Sequence, residues 1–211
     1  MRKNLSVLFY IIVYCATVLL LCSCTSAPKV DRVSPDSMVD LSGRWNDTDV
    51  RLVCESLVKD CLADARVAQF IEQYASQHGG KLPACLVGSF RNESSDRIDT
   101  SIISINMETA IVNSGKFEFV AGGDTRQEIR GERQDQLVYA SEATAAALGY
   151  ETGAVLILTG TVRSIVDRAG NTTVRSYFVN AEMTNVQTNV RLWMGNNNEI
   201  KKVIRQPNYR F

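Results

Sequence analysis

The sequence predicts an α/β (α+β) fold: a single small mixed sheet, flanked by helices, that ends in a C-terminal antiparallel three-stranded meander. In the first two thirds of the chain, segments with apolar residues at helical spacing alternate with two strand-like runs, at residues 83–90 and 116–121. In the last third, three strand-like runs, at residues 154–167, 172–186 and 190–195, are separated only by short polar turns. Helices that alternate with strands and then give way to hairpins predict helices on one or both faces of one sheet.

Two helices are predicted before the first strand. Asn46 has the residue type of an N-cap, and Asp47 and Asp49 in the first turn suit the positive end of the helix dipole. Apolar residues then recur at helical spacing as far as Cys61. The second helix covers residues 65–77 and ends at a pair of glycines.

Further helices are predicted after the first strand. Residues 99–114 form one that Gly115 closes, with an inner face of Ile102, Ile103, Met107, Ala110 and Ile111. Residues 125–128 have the form of a capping box and open a helix to about residue 139 that is polar on almost all sides. A short Ala-rich helix is expected at residues 141–148.

The strands differ in how much of their surface is apolar. The first one is a near-continuous apolar run, which is typical of a strand buried on both faces. In the run at residues 172–186, one face carries Tyr177, Val179, Ala181 and Met183. Turns are predicted at residues 168–171 and 187–189. Residues 196–211 are polar and basic, and we expect them to form a loosely held tail.

The beginning of the chain has the pattern of an export signal. Arg2 and Lys3 precede an uncharged, apolar run at residues 4–21, which predicts a secretory signal peptide over residues 1–23. The alternative is an uncleaved transmembrane anchor, because residues 5–21 just reach the ~17 residues that can span a bilayer.

Leu21-Cys22-Ser23-Cys24 resembles the lipobox of bacterial lipoproteins, which implies that Cys24 is lipidated. The alternative, lipidation of Cys22, would place leucine immediately before the modified residue. Residues 24–38 contain two prolines and three serines and are predicted to form a flexible tether. A globular domain is predicted over residues 39–195.

The composition is that of one ordinary globular domain, with 45% hydrophobic and 22% charged residues among 211. Removal of residues 1–23 takes away two basic residues and no acidic one, which leaves 21 basic and 23 acidic side chains. This balance argues against nucleic acid, or an anionic membrane surface, as the main partner.

Three cysteines fall in the predicted domain: Cys54, Cys61 and Cys85. Their odd number prevents complete pairing within the chain. Cys54 and Cys61 lie two helical turns apart, about 10 Å, which exceeds the reach of a disulfide. We expect all three to be buried as small hydrophobic residues.

No catalytic pattern is found in the sequence. The single histidine, His78, follows a helix end, where imidazole usually contacts the helix dipole. The sequence has no serine elbow, phosphate-binding loop or metal-ligand spacing. We therefore predict a protein that is not an enzyme and binds neither cofactor nor metal.

Several short stretches resemble the LpoB-like penicillin-binding-protein activator lipoproteins. They include Val87-Gly88, Asn92, Ile98-Asp99-Thr100, Asn113-Ser114-Gly115-Lys116 and Leu158-Thr159-Gly160, in that order along the chain. The most specific one is the run Asp40, Leu41, Ser42, Gly43, Arg44, Trp45, Asn46, Asp47, Thr48 and Asp49. The resemblance spans about residues 39–195.

The resemblance implies an outer-membrane lipoprotein that faces the periplasm, has no enzymatic activity, and binds and activates a class A penicillin-binding protein, a peptidoglycan synthase. It also implies a fold shared with curli-secretion lipoproteins. Two alternatives therefore remain, a component related to a secretion channel and a periplasmic binding domain with another partner. We expect a monomer.

The candidate partner surface lies on the polar segments that are not needed for the core. Its residues are Asn92, Arg97, Gln127, Arg130, Arg133, Arg168 and Asn171. Plain solvated surface would explain these residues equally well. The resemblance also has one departure: residues 25–43 span at most ~65 Å when extended, whereas the family's known tethers are long and proline-rich.

Overall fold

The computed structural model describes residues 29–35, 37–141, 143, 146 and 151–207. The predicted signal peptide and Cys24 lie outside these residues, as does most of the predicted Ala-rich helix. The chain divides into two compact units, Met1–Ser37 and Met38–Phe211. In the described part of the first unit, the Lys29 ammonium lies 3.3 Å from the Asp31 carboxylate.

The second unit begins with two helices whose predicted limits are confirmed. Helix α1 covers Asp47–Ala63 and helix α2 covers Ala65–Gln77. Asn46 and Asp49 form a capping box: each side chain accepts a hydrogen bond from the other residue's backbone N–H, at 3.1 and 3.0 Å. Asp64 separates the helices and caps the start of α2 through Oδ1.

Helix α3 covers Thr100–Ser114, between an Asp99 cap and Gly115 in the left-handed conformation. Its buried stripe is Ile103, Met107 and Ile111, all with 0% exposure. The prediction that Ile102 belongs to the inner face is wrong, because its side chain is 48% exposed. It lies one residue, about 100° of helix rotation, away from this narrow stripe.

Helix α4 covers Gly123–Tyr139 and has no buried residue among its described side chains, as its polar sequence predicts. The predicted capping box is wrong. The helix begins at Gly123, Gly122 is its N-cap, and no side chain caps it. Thr125 therefore lies within the first turn, where its hydroxyl cannot serve as the cap.

Six strands form one mixed sheet: β1 Ala84–Asn92, β2 Glu118–Phe119, β3 Leu156–Ala169, β4 Thr172–Asn185, β5 Arg191–Asn197 and β6 Lys201–Arg205. Their order is β2-β1-β3-β4-β5, and β6 also pairs with β4. The first three strands are parallel, and the β3-β4-β5 meander is antiparallel, as predicted. Short turns permit antiparallel neighbours, whereas parallel neighbours need crossover connections.

Strand β6 contradicts the prediction of a loosely held tail. Residues 201–205 pair with residues 172–176 of β4. They continue along the same edge of β4 that β5 covers only at residues 179–184. The physical reason is the unequal length of the strands: β4 has 14 residues and β5 has seven, so half of one β4 edge would otherwise lack backbone partners. The folded domain therefore extends beyond residue 195.

The core lies between α1, α3 and one face of the sheet. Tyr177, Val179, Ala181 and Met183 point into it, with exposures of 0 or 1%, so the predicted β4 face is confirmed. On the opposite face, Ile165 and Met194 remain 61% and 58% exposed. A strict two-residue alternation thus separates a buried face from an open one.

Gly160, in the middle of β3, is required by close packing on the buried face. A Cβ added there would lie 2.1 Å from the Phe90 ring and 2.5 Å from the backbone oxygen of Asn180. The Phe90 ring can occupy this position only because residue 160 has no side chain.

Candidate protein-binding surface

The ten-residue run at residues 40–49 forms the lead-in to α1 and its first turn, and its central contact is Lys202 of β6. The Lys202 ammonium donates to Asp40 Oδ1 at 2.6 Å, to Asp49 Oδ2 at 2.7 Å and to the Arg44 carbonyl at 3.0 Å. Its side chain is 11% exposed, and that of Asp49 is 6% exposed. Burial raises the pKa of Asp49, and hydrogen bonds from Lys202 and Asn46 oppose this only in part.

Gly43 allows the lead-in to pass close to β6. Its φ is +64°, a left-handed conformation that side chains other than glycine rarely adopt. A Cβ at this position would also lie 2.3 Å from Ile204 Cγ1. Both observations explain why a glycine precedes Arg44 in this run.

Trp45 packs against the core through Tyr177. The two ring centroids are 5.3 Å apart, in an edge-to-face arrangement with an interplanar angle of 67°. Trp45 is half-buried, and its indole nitrogen is enclosed without a hydrogen-bond partner among the described residues. The run at residues 40–49 therefore closes the open end of the core.

Tyr177, which Trp45 contacts, belongs to a buried polar cluster with Asp96 and Arg175. Arg175 Nη1 donates to Asp96 Oδ1 at 2.5 Å, and the Tyr177 hydroxyl donates to Asp96 Oδ2. Burial raises the pKa of Asp96, but hydrogen bonds from Tyr177 and Arg175 lower it by more, so the carboxylate stays ionised. Burial and the bond to Asp96 raise the pKa of Tyr177 to about 12.

Sequence reasoning missed Asp96 and Arg175. The available signal was the alternation of β4: Arg175 lies two residues before Tyr177 and therefore on the core-facing side. A buried guanidinium on that side requires a carboxylate nearby. The sequence contains 23 acidic residues and gives no indication of which one supplies it.

The loop after β1 is organised by one of the predicted candidates, Asn92. Its side chain donates to the Asp96 carbonyl at 2.9 Å and accepts from the backbone and hydroxyl of Ser94, at 3.0 and 2.7 Å. The same loop contacts β3 where Ser95 N–H donates to Ser164 Oγ at 3.0 Å. Asn92 thus holds the loop in place, and Arg97, also exposed, follows it.

These segments meet at an open pocket of about 400 Å³. We call it the arginine pocket, and its lining residues are Arg44, Ser95, Asp96, Val166, Arg168 and Arg175. Arg168 was predicted in a turn, but it belongs to β3 and pairs with Thr173 of β4. Its position in the strand directs it to the same face as Val166 and Arg175.

The other predicted candidates lie apart from the arginine pocket. Asn171 is in the β3–β4 turn, where its carbonyl accepts from Gln206 N–H at 2.9 Å. Gln127, Arg130 and Arg133 are on α4, and the latter two bind Glu151, at 2.8 and 3.4 Å. Glu151 lies before the start of β3 and the arginine pocket lies near its end, ~40 Å away along the strand.

The open face of the sheet carries a groove of about 580 Å³. Its charged side chains are already paired: Arg163 lies 2.7 Å from Glu93, and Arg191 lies 3.0 Å from Glu182. Arg91, which also lines the groove, lies 3.9 Å from Glu93, so each of the three arginines of the groove has a carboxylate partner, whereas Arg44 and Arg168 of the arginine pocket form no ion pair among the described residues.

The remaining reactive side chains occupy structural positions. Cys54, Cys61 and Cys85 are free and buried, as predicted, and burial raises the pKa of each thiol to about 12. His78 stacks on Tyr74, with ring centroids 3.9 Å apart. Over the described ranges, no group of three or more His, Cys, Asp or Glu side chains could hold a metal ion.

In the same part of the chain, no helix combines the length and apolar character needed to cross a bilayer. The class of protein that this architecture defines is a small mixed α/β domain with one six-stranded sheet among the described residues.

Comparison with known proteins gives the family. The family described as peptidoglycan-synthase activator LpoB matches residues 49–199, and the chain belongs to this family. No curated protein sequence matches the chain.

Solved structures give three further comparisons. The LpoB C-terminal domain from Escherichia coli is 17% identical, with 75% of this chain and 99% of that chain covered and a TM-score of 0.41. The corresponding Salmonella enterica domain is 18% identical, with coverages of 64% and 93% and a TM-score of 0.34. Lipoprotein GNA1162 from Neisseria meningitidis is 13% identical, with coverages of 60% and 88% and a TM-score of 0.38.

Proposed function

We propose that this chain is an outer-membrane lipoprotein that faces the periplasm, binds a class A penicillin-binding protein and activates its peptidoglycan synthesis without catalysing a reaction itself. The observation that carries the proposal is the match of residues 49–199 to the peptidoglycan-synthase activator family.

The partner surface that we propose consists of polar surface residues in two regions, near the two ends of β3. One region contains Asn92, Arg97, Arg168 and Asn171, and the other contains Gln127, Arg130 and Arg133 on α4. The first region has stronger support, because its arginines are not engaged by carboxylates of the described chain, whereas Arg130 and Arg133 are bound to Glu151.

Membrane attachment in this proposal depends on Cys24. The experiment is metabolic labelling of the full chain with a lipid precursor. Cys24→Ala is expected to abolish the label and leave an unprocessed precursor, whereas the control Cys22→Ala is labelled normally. Persistent labelling of Cys24→Ala, with loss in Cys22→Ala, would show that the lipidated cysteine is wrongly assigned.

The activator function is tested with the full chain in detergent, the class A synthase of the same organism and a lipid-linked precursor. The chain is expected to bind the synthase and to raise its rate of glycan polymerisation, and to show no polymerisation when the synthase is omitted. Absence of both binding and rate change, with both proteins folded, would contradict the proposal.

The two regions are then compared by triple substitution. Arg97→Ala, Arg168→Ala and Asn171→Ala together should weaken binding more than Gln127→Ala, Arg130→Ala and Arg133→Ala together. Arg66→Ala with Lys81→Ala is the control, because both residues are exposed and lie on α2 and the loop that follows it.

A further inference from the structure

We infer that the arginine pocket seats a carboxylate side chain, from an aspartate or glutamate of the protein partner. The inference rests on the proposed function, because it identifies the chemistry of the group that the partner inserts.

Charge in the pocket is strongly unbalanced. Three arginines, Arg44, Arg168 and Arg175, line it together with a single acidic residue, Asp96. Asp96 is already engaged, because one oxygen accepts from Arg175 and the other from Tyr177. Asp96 also attracts Arg44 electrostatically, but the residues that line the pocket still carry two more positive than negative charges.

The excess positive charge of the pocket is carried by Arg44 and Arg168. Both residues are exposed, and neither forms an ion pair with a described carboxylate, whereas Arg130, Arg163 and Arg191 elsewhere on the surface all do. Guanidinium forks that are held beside one another bind carboxylates through paired, charge-assisted hydrogen bonds.

The shape of the pocket favours a side chain over a free inorganic anion. Val166 lines it beside the arginines, so one wall is apolar and can contact the methylene groups that carry a carboxylate. The volume of about 400 Å³ exceeds what a single carboxylate fills and leaves room for such a stem. Inorganic phosphate would gain nothing from the apolar wall.

The pocket is assembled from four parts of the fold: the lead-in at Arg44, the loop at Asp96, β3 at Arg168 and β4 at Arg175. Asp96 fixes the guanidinium of Arg175, so this part of the site is preorganised, whereas the exposed side chains of Arg44 and Arg168 close on the carboxylate when it binds.

The test measures the affinity of the full chain in detergent for the class A synthase of the same organism. Arg44→Gln with Arg168→Gln is expected to weaken binding about tenfold or more, since two charge-assisted hydrogen bonds are lost. The loss should be largest at low ionic strength. Arg44→Lys with Arg168→Lys keeps the charge but not the planar fork and should retain only part of the affinity.

The control is Arg66→Gln with Lys81→Gln, which removes two positive charges from exposed positions away from the pocket. It should bind like the unsubstituted chain. The melting midpoint of each variant is measured first, and it should not change, because the Arg44 and Arg168 side chains are exposed. A parallel titration with inorganic phosphate monitors the side-chain Nε–Hε resonances of the two arginines.

Each outcome decides the question. Synthase binding that is unchanged in the Arg44→Gln, Arg168→Gln variant overturns the inference and leaves the activator function standing. An equal loss in the control shows a general charge effect and also overturns it. Tight phosphate binding together with unchanged synthase affinity identifies the pocket as a small-anion site instead. Absence of synthase binding by the unsubstituted chain overturns both the function and the inference.

Discussion

The ammonium of Lys202 lies 2.7 Å from the carboxylate of Asp49, although 153 residues separate them in the sequence. This contact fastens the last strand of the sheet to the first turn of the first helix. The Lys202 ammonium also binds Asp40 and the Arg44 carbonyl. One lysine therefore organises the lead-in segment that carries Arg44 to the arginine pocket.

Lys202→Met should therefore destabilise the domain by about 3 kcal/mol, because it leaves the buried carboxylate of Asp49 without its charged partner. Urea unfolding followed by circular dichroism measures the loss. Lys201→Met is the matched control: Lys201 is the adjacent residue of β6 and is exposed, so its loss should change stability by less than about 0.5 kcal/mol. Equal losses in both variants would contradict the role given to the Lys202 contact.

Trp45→Ala should lower the free energy of unfolding by about 2–3 kcal/mol, somewhat below the value for a fully buried ring, because Trp45 is half-buried. Trp45→Phe should cost much less. It keeps an aromatic ring against Tyr177 and removes an enclosed indole N–H that has no partner in the described chain. If the melting midpoint of Trp45→Ala stays at the unsubstituted value, the ring does not close the core.

The pH dependence of stability should contain a contribution from Asp96. Its pKa in the folded protein is lowered below the usual 3.8, so the ionised carboxylate stabilises the fold above that pH. This stabilisation is lost as the pH falls through the folded pKa, when Asp96 takes up a proton. Urea unfolding between pH 6 and pH 2 should therefore depend less steeply on pH for Asp96→Asn than for the unsubstituted chain.

Asp167→Asn is the control for the pH series, because Asp167 is exposed on β3 and outside the buried cluster. It should leave the acid dependence close to that of the unsubstituted chain. Identical curves for the Asp96→Asn variant and the unsubstituted chain would show that the bonds from Arg175 and Tyr177 do not bias protonation of Asp96.

Cys54, Cys61 and Cys85 should resist alkylation in the folded protein at pH 8. Their exposures are 3%, 1% and 0%, and pKa values of about 12 leave almost no thiolate at that pH. Peptide mapping after iodoacetamide treatment measures each cysteine separately, and all three should react once urea unfolds the domain. Rapid labelling of any of them without urea would mean that the core opens locally.

Local signals explain why these parts of the fold could be predicted: the first two helices and the buried face of β4. The limits of α1 and α2 follow from Asn46 and Asp64, which cap the helices through contacts within three residues. The alternation in β4 likewise specified which face would be buried, because a strand sends successive side chains to opposite sides. Here the sequence and the structure agree without reference to distant residues.

Two predictions, the start of α4 and the inner face of α3, were wrong because the local sequence is compatible with more than one structure. The residues at 125–128 form a capping-box pattern, yet α4 begins at Gly123 and leaves that pattern inside the helix. Ile102 has the residue type of the α3 inner face, but the contacts of α3 with α1 and β1 bury a narrower stripe. Propensity allowed each alternative, and packing against the rest of the domain selected one of them.

The sequence by itself determined the family, through short stretches that recur in order along the chain. It also determined the Asn46 cap of α1, the antiparallel meander and the buried face of β4, because these depend on residues close together in the chain. Only the tertiary structure decided that residues 201–205 form a sixth strand, that Lys202 reaches Asp49, and that Asp96 receives Arg175. The two side-chain pairs lie 153 and 79 residues apart in the sequence, and each joins polar side chains that have many possible partners. Periodicity predicts which face of a strand a side chain occupies, but the partner of a buried charge is fixed only when the whole sheet is assembled.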